Sequence, residues 1–254
     1  MRVIRFEYKN KISWGVIEGL VARVLSRPPF EKIKLTDKKI ALNKIKLLPP
    51  CLPGKIVLCG LNYRRHAQEL NLTVPKEPVI FLKPATALLA HGQKIIYPPG
   101  VSRLDYEAEL ALVIKKPGRN IPFNKAADFI LGFTCLNDVT ARDLQKKDGQ
   151  WTRSKSFDTF CPLGPWLETE VKPGDLHIRA YLNSKIMQDS STRDFIFPVN
   201  YLVSFISRIM TLAPGDVIST GTPSGIGPMQ PGDLIEIEIG GIGRLANRVV
   251  RRVK

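Results

Sequence analysis

Cysteine and long apolar runs are both scarce in this 254-residue sequence. Its four cysteines show no CxxC spacing, which argues against a structural zinc site and against a disulfide framework. We therefore expect reduced, mostly buried thiols at Cys51, Cys59, Cys135 and Cys161. The longest apolar stretches, such as residues 55–60, fall far short of the roughly 20 residues that a membrane span needs. The N-terminus also lacks the apolar segment of a signal peptide, so we expect an intracellular, cytoplasmic protein with no membrane partner.

Nucleotide-binding signatures are absent as well. No GxGxxG motif follows a predicted strand, and strands and helices do not alternate strictly, so a Rossmann fold is disfavoured. Hydrophobic residues make up 44% of the chain and charged residues 24%, which are ordinary values for a folded globular protein and argue against disorder.

Positive charge is in excess, with a formal net charge of +15. Twelve lysines and arginines against four acids lie in residues 1–46, and five more lie in residues 244–254, away from the motifs described below. This placement favours a solvated basic face and disfavours a nucleic-acid partner. Two alternatives stay open, namely a polyanion-binding role and long-range attraction of an anionic substrate.

The N-terminal piece and the rest of the chain differ in their patterns. Residues 2–8 and 12–18 alternate between polar and apolar side chains, so residues 1–48 are predicted to form a small β-rich domain. A proline-rich break at residues 49–54 ends it, and residues 55–254 are predicted to form a second, larger domain.

Short stretches of β-branched residues, bounded by glycine and proline, dominate the larger domain. We predict strands over residues 56–59, 79–82, 106–114, 129–137, 176–182, 217–220, 234–239 and 245–250. Three of them follow a Pro-Gly-Asp turn, whose acids are predicted to be structural: Asp175, Asp216 and Asp233. Helices are few and are predicted over residues 63–70, 140–147 and 201–212. The chain is therefore expected to be mostly β, with a minor α+β character.

An acidic strand segment carries the clearest chemical signal. Asp105, Glu107 and Glu109 alternate with apolar residues. Side chains two residues apart on a strand point to one face, about 7 Å apart at the backbone, where three carboxylates would repel one another. A hard divalent cation such as Mg²⁺ or Mn²⁺ prefers oxygen ligands and would remove this repulsion. The pattern therefore indicates a metal site, with a solvated acidic edge as the alternative.

A second polar segment follows the strand predicted over residues 129–137. Asp138 stands where that strand gives way to a helix, a position where an acid is often only an N-cap. Arg142 and Gln145 are three residues apart, so they share one face of the helix. Three carboxylates with one divalent cation would still carry a net negative charge, so an anionic substrate would need such cationic help.

His66 and Glu69 form the third signal. They lie three residues apart on a predicted short helix, where a carboxylate fixes the tautomer of an imidazole and raises its basicity. This is the arrangement of a general base. The alternative is an ordinary pair on a surface helix. The other two histidines, His91 and His177, are expected to be structural.

Taken in chain order, these segments resemble the fumarylacetoacetate hydrolase family. The five stretches that carry the resemblance are GLNYRRHAQE, DYEAEL, LNDVTARDLQ, SKSFDTFCPLGPW and STGTPSGIG. The match covers roughly residues 55–250 and is similar to the short, bacterial-type branch of the family. That branch includes acylpyruvate hydrolases, oxaloacetate decarboxylase/tautomerases and 2-hydroxyhepta-2,4-diene-1,7-dioate isomerases.

The resemblance implies a role for each matching residue. The implied ligands of a Mg²⁺ or Mn²⁺ ion are Glu107, Glu109 and Asp138, with Asp105 in support. The implied catalytic residues are His66 and Glu69, on a lid helix, and Lys155, which would stabilise developing negative charge. The implied substrate-binding residues are Arg142, Gln145 and Thr222. The substrate would be a small anionic 2-oxo acid.

The resemblance also implies an architecture. It predicts a rolled mixed β-sheet catalytic domain over residues 55–254, a small β-rich piece over residues 1–48, and a homodimer. The larger fumarylacetoacetases supply a further metal-binding carboxylate just before the catalytic histidine. The corresponding residues 59–62 contain no acid here, which puts fumarylacetoacetate itself in doubt as the substrate.

The implied chemistry is C–C bond hydrolysis or decarboxylation of an acylpyruvate- or oxaloacetate-like acid. The main alternative is isomerisation or tautomerisation of a 2-hydroxyhepta-2,4-diene-1,7-dioate-like acid. A catalytically silent metal-binding or polyanion-binding protein is the alternative of another class. The complete set of matching site residues argues against that last alternative.

Overall fold

A computed structural model describes residues 1–69 and 73–251 of the chain. Strands dominate it. Those of residues 1–50 are β1 (Arg2–Tyr8), β2 (Lys11–Glu18), β3 (Val21–Leu25), β4 (Leu35–Ala41) and β5 (Lys46–Leu48). Those from residue 51 to residue 141 are β6 (Ile56–Gly60), β7 (Val79–Lys83), β8 (Leu88–Leu89), β9 (Lys94–Tyr97), β10 (Leu104–Tyr106), β11 (Ala108–Ile114), β12 (Ile130–Asn137) and β13 (Thr140–Ala141). Those after residue 141 are β14 (Cys161–Glu168), β15 (His177–Leu182), β16 (Lys185–Ser191), β17 (Val217–Ser219), β18 (Gly227–Met229), β19 (Leu234–Ile239) and β20 (Gly243–Arg251).

The helices are short. The α-helices are α1 (Arg64–Glu69), α2 (Arg142–Asp148), α3 (Thr152–Lys155) and α4 (Val199–Ile209). Short 3₁₀ segments cover Leu42–Lys44, Ala85–Ala87, Phe123–Phe129 and Thr192–Asp194. Within residues 1–69 and 73–251, no helix is long and apolar enough to cross a membrane.

The largest sheet has twelve strands and combines both parts of the sequence. Its order is β4-β3-β2-β1-β14-β12-β11-β17-β6-β7, with β5 beside β1 and β8 beside β14. Most pairs are antiparallel, but β17 with β6 and β14 with β8 run parallel, so the sheet is mixed. The prediction of a mostly β fold with mixed sheets is confirmed.

The N-terminal strands continue this large sheet. β1 forms a hairpin with β2 and also pairs with β14, where Arg2 lies opposite Glu168 and Val3 opposite Leu167. The irregular stretch at residues 49–54 separates β5 from β6. The division of the chain into two domains at this stretch stays a prediction.

Two smaller sheets complete the fold. A five-stranded sheet has the order β16-β15-β19-β20-β9, and a three-stranded sheet has the order β13-β10-β18. The five-stranded sheet packs on the centre of the large sheet, so that Ile178 and Ile237 share one buried cluster with Leu110 and Leu112. Helix α4 adds Leu202 and its apolar neighbours to the same cluster. All four cysteines are buried and free, as expected.

Two elements differ from the predicted ones near the acidic residues. The strand predicted over residues 106–114 is interrupted at Glu107, because β10 belongs to the three-stranded sheet and β11 to the large sheet. The helix predicted over residues 140–147 begins at Arg142, because Thr140 and Ala141 pair with β10 as the short strand β13. These changes place Glu107 and Asp138 at the junction of two sheets.

Candidate active site

Three carboxylates meet where β10 gives way to β11. In the large sheet, Ala108 of β11 lies opposite Asn137 of β12, so Asp138 comes next to Glu107. Two hydrogen bonds fix this junction, from Glu107 N to Asn137 Oδ1 at 3.0 Å and from Asp138 N to Glu107 O at 2.9 Å. As a result, ligand atoms of Glu107, Glu109 and Asp138 all lie within 4.8 Å of one another, and all three residues are buried.

Asp105 lies outside this cluster, although it was predicted to share a strand face with both glutamates. Its carboxylate is fully buried between two guanidinium groups, 2.8 Å from Arg103 Nε and 2.9 Å from Arg142 Nε. The interruption at Glu107 is the reason, since residues on either side of it belong to different sheets. Asp105 therefore supports the site by holding Arg142, whose other nitrogen pairs with Glu107 Oε1.

Two buried lysines contact the cluster. Lys155, at the end of α3, places Nζ 3.0 Å from Glu107 Oε2 and 2.5 Å from Asp138 Oδ2. Lys83, at the end of β7, forms an ion pair with Asp138 Oδ1 and donates to Val139 O at 3.1 Å and to Phe160 O at 2.5 Å. The contact with Oδ1 is an ion pair rather than a well-directed hydrogen bond, because no donor of good geometry reaches that oxygen among the described residues. Asp138 is thus held by two ammonium groups.

The two glutamates respond oppositely to their surroundings. Burial alone would raise the pKa of Glu107, but Lys155 and Arg142 outweigh it and hold that pKa well below its usual range. Burial, together with the charges of Asp138 and Glu107, raises the pKa of Glu109 to about 8. Its partners are the neutral donors Ser219 Oγ at 2.5 Å and Gly221 N at 3.0 Å. Glu109 therefore carries the carboxylate that the protein compensates least.

This donor set fits a divalent cation. Three carboxylates supply only oxygen ligands, which Mg²⁺ and Mn²⁺ prefer. A cation between them would remove the repulsion that raises the pKa of Glu109. The residues predicted to bind the metal are brought together by the fold, and their role as ligands stays a prediction.

The predicted His66–Glu69 pair is formed on α1. His66 is buried, and its Nδ1 lies 2.8 Å from Glu69 Oε2. The second oxygen of Glu69 accepts a hydrogen bond from Gly225 N at 3.0 Å. Asn62, just before the helix, is held by three buried hydrogen bonds to Phe197 and Thr220. The base of α1 is therefore tied to the body of the protein.

A cavity of about 250 Å³ connects these groups. Its polar lining contains eight of the nine predicted site residues: His66, Glu107, Glu109, Asp138, Arg142, Gln145, Lys155 and Thr222. The ninth, Glu69, does not line it but orients His66. Arg142 donates to Gln145 Oε1 at 2.5 Å, so the two polar side chains act as one unit on the cavity wall.

An apolar wall completes this cavity. It consists of Leu61, Phe81 and Trp151, with the rings of Phe81 and Trp151 edge to face at 5.1 Å. A Cβ on Gly60 would lie 2.9 Å from the Trp151 ring, so the absence of a side chain there lets the ring lie close. A larger cavity of about 630 Å³ lies elsewhere, but no acid or histidine is present among its described lining residues.

Sequence reasoning missed two residues that organise the site. Lys83 follows an apolar stretch in the sequence, where a lysine is usually exposed. Nothing in that pattern indicates that its ammonium group is buried. Gln188 has no signal, since it lies in β16, which was not predicted. It donates to Thr222 Oγ1 and to Pro223 O, both at 2.8 Å.

Comparison with known proteins agrees with this geometry. Residues 55–250 match the family model described as fumarylacetoacetate (FAA) hydrolase C-terminal, and residues 1–50 match the model described as Rv2993c-like, N-terminal. The chain belongs to the fumarylacetoacetate hydrolase family. The resemblance inferred from its motifs is therefore confirmed, and every cavity-lining residue lies within the range of the first match.

Relatives within the fumarylacetoacetate hydrolase family include three kinds of enzyme. The 2-hydroxyhepta-2,4-diene-1,7-dioate isomerase of Mycobacterium marinum is 43% identical, and its crystal structure has a TM-score of 0.94 over 100% of both chains. Maleylpyruvate hydrolase of Sphingobium sp. SYK-6, solved with manganese(II) and pyruvate, is 29% identical with a TM-score of 0.84 over 100% of both chains. The mitochondrial oxaloacetate tautomerase Fahd2a of Rattus norvegicus is 40% identical over 215 residues, 80% of this chain and 69% of the relative. Members of this family are enzymes that act on oxo acids.

Proposed function

We propose that this chain is a divalent-metal-dependent enzyme that cleaves a C–C bond in a small 2-oxo acid. The reaction would be hydrolysis of an acylpyruvate-like acid or decarboxylation of an oxaloacetate-like acid. One observation carries the proposal: the three-carboxylate cluster, the cationic groups of Lys155 and Arg142, and the His66 imidazole all face one cavity.

The carboxylate cluster would hold the metal. Glu107, Glu109 and Asp138 would bind Mg²⁺ or Mn²⁺, which when bound would polarise the 2-oxo group and stabilise enolate charge. The manganese(II) ion and pyruvate in the hydrolase relative support both the cation and the substrate class. Arg142, Gln145 and Thr222 would bind the substrate, and Lys155 would stabilise negative charge as it develops.

His66 would act as the general base. Since Nδ1 is engaged with Glu69, Nε2 is the ring nitrogen that can take a proton from water. In hydrolysis the water oxygen bonds to the 4-oxo carbon, and the bond between C3 and C4 then breaks. The electron pair of that bond passes into the enolate of the 2-oxo acid, and the proton held by His66 returns to C3.

The charges around the cluster favour a particular kind of acid. The buried or ion-paired acids of the site are Asp105, Glu107, Glu109 and Asp138. Lys83, Arg103, Arg142 and Lys155 pair with three of these acids, whereas Glu109 has only neutral hydrogen-bond partners. The four acids and four cations balance, so a divalent cation would leave the site positive. The sequence-based count covered only three carboxylates and the metal, and these buried cations supply the help that it called for. A positive site favours a dianion, such as a 2-oxo dicarboxylate, over a monoanion.

Isomerisation of a 2-hydroxyhepta-2,4-diene-1,7-dioate-like acid is the second candidate. The imidazole that would activate water could instead move a proton along a dienol, and the isomerase of Mycobacterium marinum supports this alternative. A catalytically silent protein is disfavoured by the complete set of polar groups in the cavity. We further propose that the chain forms a homodimer and that its basic N-terminal strands are solvated rather than bound to nucleic acid.

The test is loss of the ultraviolet absorbance of an acylpyruvate enol with purified protein, in Mg²⁺ and in EDTA, with products identified by NMR. Release of pyruvate that depends on Mg²⁺ is the expected result. Loss of the enol without cleavage would favour tautomerase or isomerase chemistry. If no acylpyruvate, oxaloacetate or 2-hydroxydienedioate changes in a metal-dependent way, the proposed function is wrong.

A further inference from the structure

A turn beside the cavity joins the His66–Glu69 pair to two buried residues outside the predicted site. The turn, defined as residues 222–225, lies between β17 and β18. We propose that Tyr106 and Gln188 are positioning residues that hold this turn so that its Gly225 amide fixes Glu69 and, through it, the His66 imidazole. The inference rests on the proposed role of His66 as the general base.

Hydrogen bonds connect Tyr106 to His66 in three steps. The Tyr106 hydroxyl donates to Gly225 O at 3.0 Å. Gly225 N in turn donates to Glu69 Oε1 at 3.0 Å. The other oxygen of Glu69, Oε2, lies 2.8 Å from His66 Nδ1. One carboxylate therefore binds both the turn and the imidazole, and the orientation of the ring depends on where Gly225 lies.

Gln188 holds the opposite end of the turn. Its Nε2 donates to Thr222 Oγ1 and to Pro223 O, both at 2.8 Å, and its side chain is buried. Its Oε1 accepts a hydrogen bond from Ala108 N at 2.9 Å. Ala108 is the residue between Glu107 and Glu109 in the chain. Gln188 therefore ties the turn to the first residue of β11. This contact fixes the position of the imidazole relative to the carboxylate cluster.

The backbone of the turn is confined at Gly225. This residue has a φ of +93°, and a Cβ there would lie 2.3 Å from Met187 O in β16. Tyr106 is fully buried, and a Cβ on Gly227 would lie 2.8 Å from its hydroxyl oxygen. The turn is thus closely packed between β16 and Tyr106. Groups held by packing and by a supporting shell of hydrogen bonds orient a reacting side chain more closely than a mobile loop does.

The test compares two buried tyrosines, one with a hydrogen-bonded hydroxyl and one without. Tyr106→Phe removes the hydroxyl that donates to Gly225 O and keeps the buried ring. Tyr63→Phe is the matched control, since Tyr63 is also buried but its hydroxyl has no hydrogen-bond partner among the described residues. Three quantities would be measured for the purified full-length proteins: hydrogen exchange in segments 61–69 and 222–229, Mn²⁺ affinity by electron paramagnetic resonance, and turnover of an acylpyruvate with Mn²⁺.

In Tyr106→Phe, exchange in both segments should accelerate about 3- to 10-fold, the effect of one hydrogen bond. The kcat should fall about 5- to 50-fold, because a displaced imidazole transfers protons less well, while KM and Mn²⁺ affinity stay near wild type. Tyr63→Phe should match wild type in all three measurements. Restoring the hydroxyl by reverting Tyr106→Phe should restore both exchange and kcat.

Two results would overturn the inference. Wild-type exchange in Tyr106→Phe would show that the hydroxyl does not hold the turn. A fall in Mn²⁺ affinity of about 10-fold or more would show that Tyr106 acts through the neighbouring Glu107 instead. If the proposed function is wrong, the wild-type protein would show no turnover. Hydrogen exchange would still decide whether Tyr106 holds the turn, so the two failures can be told apart.

Discussion

Glu107 and Glu109 are two residues apart, yet the protein treats their carboxyl groups in opposite ways. Glu107 lies against Lys155 and Arg142, which hold its pKa below the usual range. Burial and the charges of Asp138 and Glu107 raise the pKa of Glu109 to about 8, since its own partners are only a hydroxyl and a backbone amide. The difference arises from partners that are distant in sequence. At the scale of single residues, the site is therefore defined by which cation reaches which oxygen.

Replacement of His66 tests the proposed general base. His66→Ala should lower kcat about 10²- to 10⁴-fold, the usual contribution of a positioned acid or base. Mn²⁺ affinity should stay near wild type, because the imidazole is not among the three carboxylates that are predicted to bind the metal. Turnover and an electron paramagnetic resonance titration of Mn²⁺ would measure the two quantities. Unchanged turnover would show that His66 does not have this role.

Replacement of Lys83 tests the buried ion pair. Lys83→Met keeps the volume but removes one of the two cations beside the buried Asp138 carboxylate and leaves two backbone carbonyls without their donor, so the free energy of unfolding should fall by about 3–5 kcal/mol. The exposed residue Lys125 provides the control, and Lys125→Met should change that free energy by less than about 0.5 kcal/mol. Urea unfolding of the metal-free proteins measures both. Equal stabilities of the two variants would contradict the structural role of Lys83.

At the scale of elements, the Pro-Gly-Asp turns offer a matched pair of acids. Asp216 is fully buried, accepts hydrogen bonds from Ala213 N at 2.7 Å and Lys55 N at 3.1 Å, and pairs with the Lys55 ammonium group. These bonds join the start of β6 to the start of β17. Asp175 ends another Pro-Gly-Asp tripeptide, and its carboxylate pairs with Arg193 on the surface.

We expect Asp216→Ala to lower the free energy of unfolding by about 3 kcal/mol, because two backbone donors and one ammonium group lose a fully buried acceptor. Asp175→Ala should cost less than about 1 kcal/mol, the usual value of an exposed ion pair. Chemical denaturation of both variants provides the comparison. A smaller loss for Asp216→Ala than for Asp175→Ala would contradict this account.

The elements show what sequence patterns could and could not predict. The acids at Asp175, Asp216 and Asp233 were predicted as structural because proline, glycine and aspartate each favour a turn conformation. Asp216 and Asp233 each accept a hydrogen bond from the backbone amide three residues earlier, which confirms the prediction for these two turns. The interruption at Glu107 could not be predicted, because the alternation of acids and apolar residues continues through it. It arises from β10 pairing with β13 and β18, and such distant pairing leaves no trace in local periodicity.

For the molecule as a whole, the sequence motifs predicted the family but not the charge of the cavity. The five motifs predicted the family because each supplies a chemical group to one cavity. They could not predict the balance of charge there, because the ammonium group of Lys83 comes from the end of an unremarkable apolar strand. Nor could they indicate that the basic N-terminal strands share a sheet with β11, the strand that carries Glu109.

Binding of a cation should stabilise the whole molecule. A ligand that binds only the folded state adds about 2.7 kcal/mol at a concentration 100 times its Kd. For a chain of this size, that corresponds to a rise in Tm of about 5–10 °C. Calorimetry with Mn²⁺ and with EDTA measures the shift, and Glu109→Ala should abolish it. A shift that persists in that variant would place the Mn²⁺ at another site.

The buried ammonium group of Lys83 joins segments that are far apart in the chain. Its two backbone acceptors, Val139 O and Phe160 O, are 56 and 77 residues away along the chain. Long loops must close before such contacts exist, and contacts of this kind form slowly. Refolding should therefore show two kinetic phases. An early phase, measured by circular dichroism, would report strand formation, and a later phase would report Mn²⁺ binding. A newly synthesised chain would become able to bind the metal only after β7, β12 and β14 have assembled.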